Sequence, residues 1–101
     1  MDNRPNLQTM LENILGSRNV YYQPPESLKL NYPAIVYERS RIQNTFALDN
    51  VYKQSHFYTI TVIDYDPDSP IVETISKLPK IRWDRHFVSD NLHHCVFTIY
   101  Y

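Results

Sequence analysis

Three kinds of residue grouping in this chain could do chemistry. His93-His94-Cys95 places three metal-ligand types in a row. Neighbours on a strand point to opposite faces, so His93 and His94 cannot chelate one ion together. His93 and Cys95 share a face, and His56 or His86 would have to join them from other strands. No CxxC or HxxxH spacing accompanies them, so the triplet reads as sheet-surface histidines and a small buried thiol. Asp64-Tyr65-Asp66-Pro67-Asp68 begins like a calcium loop, but Ser69 stands at the glycine position and Ile75 at the glutamate position. That excludes an EF-hand and leaves carboxylates in a solvated turn before a helix. Pro67-Asp68 lacks the downstream acidic-x-Lys of a metal-dependent nuclease, and nothing in the spacing aims a histidine at Cys95. One glycine in the whole chain could hardly build a glycine-rich phosphate cradle. The expectation is no enzyme, no cofactor and no bound metal.

Arginines interleaved with aromatics form the third grouping. Arg39 and Arg41 read as lying on one face of a strand beside Tyr37, while Arg82 and Arg85 flank Trp83. Such a face can stack bases, which keeps a small nucleic-acid-binding module as an alternative. Glu38, Asp84 and Asp90 balance the arginines locally, and cross-strand ion pairing explains the pattern as well. The nine tyrosines say more. Tyr21, Tyr22, Tyr37, Tyr52, Tyr58, Tyr100 and Tyr101 fall on expected strands. A small sheet cannot bury all of these rings, Trp83 and four phenylalanines while satisfying each hydroxyl. Tyrosine is favoured at protein interfaces, so self-association through sheet faces or edges is expected.

The elements that must position these residues follow from periodicity. Leu7, Met10, Leu11, Ile14 and Leu15 form an amphipathic stripe over Asn6–Leu15, with Pro5 near its start, Asn3 as a cap and Gly16 as its stop. Val20–Gln23 reads as a short strand and Ala34–Ser40 as a second. Arg41–Asn50 has no clean period and could continue the strand, form a loop or form an extended arm. Val51–Asp64 alternates, with Tyr52, Gln54, His56, Tyr58, Ile60 and Val62 on one face, and should be central at its apolar end. Ser69 and Pro70 introduce a helix over Ile71–Leu78, which Pro79 stops. Ile81–Val88 alternates as Ile81, Trp83, Arg85 and Phe87 against Arg82, Asp84, His86 and Val88. It pairs with Leu92–Tyr101 through a Ser89-Asp90-Asn91 turn. The order α-β-β-β-α-β-β implies an α+β domain, a mainly antiparallel sheet of four to five strands with two helices on one face.

At 101 residues the chain should be a single domain spanning 1–101. Its net charge of −1 gives no long-range field for nucleic acid. No apolar run reaches a membrane span, and the polar Met1-Asp2-Asn3-Arg4-Pro5 start predicts no signal peptide. A lone cysteine suits synthesis in a reducing cytoplasm.

The run of elements, the strand Tyr32-Pro33-Ala34-Ile35-Val36-Tyr37, the strand Tyr58-Thr59-Ile60-Thr61-Val62-Ile63-Asp64 and the Asp64-Pro67-Asp68 turn resemble one family over nearly the whole chain. It is the tail-terminator (tail-completion, head–tail joining) family of long-tailed bacteriophages. The resemblance implies a structural virion subunit, made in the host cytoplasm and located at the tail neck. Its ring, commonly a hexamer, ends tail-tube polymerisation and joins the tail to the head connector. The implied partners are further copies of the chain, the tail tube protein and the connector or other neck proteins. DNA passes through the lumen, and no membrane is involved. Another phage neck or adaptor protein is the nearest alternative. The family usually carries a polar, often glycine-containing loop between strands two and three, where this chain has Arg41–Asn50 without glycine. A ring needs two different patches on each subunit. The expected interface lies on Arg39, Arg41, Phe46, Leu48 and Tyr52, with Phe46 and Leu48 as apolar anchors.

Overall fold

A computed structural model of the protein describes residues 4–48 and 50–101, with the side chains of 47 and 50–53 outside the described set. Asn3, expected as the first helix cap, also lies outside it. The elements are α1 (Arg4–Leu15), β1 (Val20–Tyr22), β2 (Ala34–Ala47), β3 (Asn50–Asp64), α2 (Pro70–Ser76), β4 (Ile81–Ser89) and β5 (Leu92–Tyr100). The five strands form one sheet in the order β1-β2-β3-β5-β4. The fold is α+β, and all pairings are antiparallel except β1 with β2, which run parallel from Val20↔Ile35 to Tyr22↔Tyr37.

Spacing in α1 determines its packing. Leu7 and Leu11, one helical turn apart, are fully buried, and Met10, Ile14 and Leu15 pack at the margin of the same core. Gly16 ends the helix with φ +78°, and its N–H bonds back to the Glu12 carbonyl at 2.9 Å. This left-handed position is where glycine has the least steric cost. Gln8 ties the helix to the sheet, because its amide donates to the Val20 carbonyl while its oxygen accepts from the Tyr37 hydroxyl.

Helix α2 starts at Pro70 as expected, but the Ser69 side chain makes no cap hydrogen bond. Its hydroxyl is buried without a hydrogen-bond partner among the described residues instead. The helix ends at Ser76, short of the expected Leu78, and contributes Ile75 to the core that holds Leu7 and Leu11. Both helices therefore cover one sheet face, which presents Ile35, Tyr37, Tyr58, Ile60, Val62, Cys95, Phe97 and Ile99. At its apolar end β3 is flanked by β2 and β5, so it is central where its β-branched residues cluster.

Besides a register shift between Thr45 and Phe46 near the end of the β2–β3 pair, two bulges break the expected alternation. Between Arg39 and Arg41 the β2–β3 register shifts, with Arg39 opposite Tyr58 and Arg41 opposite Phe57. Adjacent residues of β3 face opposite ways, so Arg39 and Arg41 lie on opposite faces and not on one as expected. A second shift lies between Trp83 and Arg85 in β4, with Trp83 opposite Phe97 and Arg85 opposite Val96. Ile81 and Trp83 thus share the helix-covered side, while Arg85 and Phe87 turn to the open side. The β4–β5 hairpin closes on Asp90 and Asn91 at φ 54° and 63°. Two successive left-handed residues make the turn whose twist matches the strands.

Candidate functional site

The segment Arg41–Asn50 continues β2 and crosses into β3. Beyond Phe57 the β2–β3 pair has no further strand beside it among the described residues, since the β3–β5 register begins at Phe57↔Tyr100. The two strands therefore leave the sheet as an extended arm. Seven residues per strand span about 23 Å, which accounts for axial extents of 51 × 28 × 23 Å. The radius of gyration, 14.8 Å, exceeds the roughly 13 Å of a compact chain this long for the same reason. The arm exposes Ile42 at 45%, Phe46 at 63% and Leu48 at 95%.

The five residues expected at an interface are distributed along this arm, not gathered in one patch. Phe46 and Leu48 lie at its end. Arg39 sits before the arm on the helix-covered side, where its guanidinium approaches the Tyr58 hydroxyl at 3.4 Å. Arg41 starts the arm on the open face and lies over the Phe57 ring at 4.2 Å. Tyr52 is on β3, and its side chain is outside the described residues.

The open face holds a group that sequence reasoning did not assemble. Ser40, Arg41, Phe57, Thr59, Lys80, Arg82, Thr98 and Tyr100 line a hollow of about 360 Å³. Phe57 and Tyr100 meet edge to face at 5.4 Å on the two central strands. Alternation alone gives Phe57 with Thr59 and Thr98 with Tyr100, but joining the pairs needs the β3–β5 register. Lys80, outside any strand, carries no sequence signal at all.

The other groupings resolve locally. The Asp64 and Asp66 carboxylates accept from the N–H groups of Asp66 and Asp68 at 3.2 and 2.9 Å, closing turns within the loop. His93 stacks on His86, and His94 stacks on Phe87 across the sheet edge. Cys95 is buried, and burial raises its thiol pKa. Among the described residues, no group of three or more His, Cys, Asp or Glu is placed to hold a metal ion. Among the same residues, no helix is long and apolar enough to cross a membrane. Tyr37 and Tyr58 are fully buried, whereas Tyr65 is 64% exposed and Tyr21, Tyr22, Tyr32, Tyr100 and Tyr101 are half-buried.

No protein-family model matches the chain, and no curated protein matches it either.

Proposed function

We propose that the protein is a structural subunit that assembles with copies of itself into a ring at the head-proximal end of a long phage tail. The ring ends growth of the tail tube and joins it to the head connector. The observation that carries this reading is the arm. A two-stranded hairpin is at best marginally stable alone in water, yet this one holds Ile42, Phe46 and Leu48 in solvent. A second surface that covers those side chains gives the arm its stability and gives each subunit a projecting patch unlike the rest of its surface. Head-to-tail contacts between two unlike patches are what close a ring. The half-buried tyrosines along the sheet and the resemblance in element order support the same reading.

Light scattering on the purified protein, alone and with tail tubes, followed by imaging of the tube ends, tests it. A closed oligomer capping tubes is expected, and Phe46→Asp should abolish both assembly and capping. A chain that stays monomeric in the presence of tubes overturns the reading. Phe46→Asp rings that still bind tubes overturn the role of the arm.

A further inference from the structure

We propose that the hollow on the open sheet face binds a phosphate ester of nucleotide type. This inference is independent of ring formation. Three cations converge on the hollow, and each is held by a different anchor. Arg41 lies over Phe57 at 4.2 Å, Lys80 over Tyr100 at 4.6 Å, and the Arg82 Nε donates to Asp84 at 3.0 Å. The second Asp84 oxygen accepts from the Thr98 hydroxyl at 2.6 Å, so that carboxylate is taken up in orienting the wall. Arg41 and Lys80 have no carboxylate partner among the described residues. Two further charges share this face: Glu38, exposed and paired across from Thr59, and Arg85. The cations therefore outnumber the carboxylates.

The backbone is bent toward this arrangement from both sides. The β2 bulge turns Ser40 and Arg41 onto the open face, and the β4 bulge brings Asp84 beside Arg82 and Thr98. Bulges re-aim side chains at functional positions, and here one flanks each side of the two central strands. The volume suits a small ligand. Arginine and lysine are the phosphate-binding side chains, and a guanidinium plane lying on an aromatic ring offers its other side to a base. Cations gathered around one hollow fit a compact phosphate ester better than a chain of carboxylates, which needs positive charges set out in a row.

Calorimetry and fluorescence anisotropy on the whole chain test this with a nucleoside monophosphate, a labelled short oligothymidylate and oligoglutamate. At least one phosphate probe should bind. Arg41→Gln and Lys80→Gln should each weaken binding about tenfold and lower the salt slope by about one. Arg18→Gln, an exposed arginine after α1, should leave both unchanged. Equal affinity for the two phosphate probes identifies a free nucleotide as the ligand, and binding of the oligonucleotide alone identifies a nucleic-acid strand. The substituted side chains are exposed, and circular dichroism verifies that the variants fold. No binding of either phosphate probe at millimolar concentration overturns the proposal. So does oligoglutamate binding as tightly as the phosphates, or an Arg18→Gln loss equal to the others.

Discussion

Tyr37 shows how one side chain joins three parts of the core. Its ring packs against Tyr22 and Tyr58, with centroids at 5.0 and 6.2 Å, and its hydroxyl donates to Gln8 on α1. Burial raises its pKa, partly offset by Arg4 nearby, and burial also raises that of Cys95. In both cases the fold holds the protonated form. The stability this contributes is complete below the unfolded-state values, about 8.5 for cysteine and about 10 for tyrosine. It is lost as pH rises through the higher folded-state values. Denaturant midpoints should therefore fall on the alkaline side. Tyr37→Phe should cost about 1 kcal/mol at neutral pH by orphaning the Gln8 oxygen, yet flatten the decline above about pH 10. An unchanged alkaline slope in that variant would remove Tyr37 from the account. The Cys95 thiol, for the same reason, should react with a disulfide reagent only as the protein unfolds.

At the scale of elements, the arm is the least protected regular structure. Among the described residues, the stretch from Ile42 to Thr45 has β3 as its one neighbouring strand, whereas Ile60 to Ile63 lie between β2 and β5. Hydrogen exchange on the unassembled chain should be orders of magnitude faster in the first stretch than in the second. On the proposed assembly that gap should close, and equal protection in the unassembled chain would show that the arm needs no partner. The same contrast explains what could be read in advance. Helix α1 was legible because five apolar residues repeat at helical spacing and glycine follows them. The core end of β3 was legible because four β-formers run together. The bulges were not, because an extra residue such as Ser40 or Asp84 carries no glycine or proline signature. Missing them put Arg39 beside Arg41 and split the lining of the hollow between two faces. The parallel β1–β2 pairing also escaped, since three residues leave too little pattern to reveal direction. Neither the course of Arg41–Asn50 nor the placement of Lys80 could be chosen by alternation.

For the whole molecule, strand order matters more than composition. β4 forms the outer edge, and its residues from Arg82 to Ser89 are all exposed. Arg82, Asp84, Arg85 and a bulge guard that edge against pairing with foreign strands. β5 lies inside it, joined to β3 on one side and to β4 on the other. The chain therefore reaches the edge before it fills the centre. During synthesis, the β2–β3 hairpin and β4 share no hydrogen bonds until Leu92–Tyr100 arrives to bridge them. Until then Ile60 and Val62 lack their β5 neighbours Phe97 and Cys95. A ribosome making this protein holds an unclosed sheet until β5 emerges, so closure of the core waits for residues 92–100. Stalled nascent chains ending at Asn91 should be digested by protease along β3, and those in which Tyr101 has cleared the exit should resist. Early resistance would mean that the hairpin closes its own core. The topology thus sets a timing rule: the core of this sheet closes only once β5 has left the ribosome.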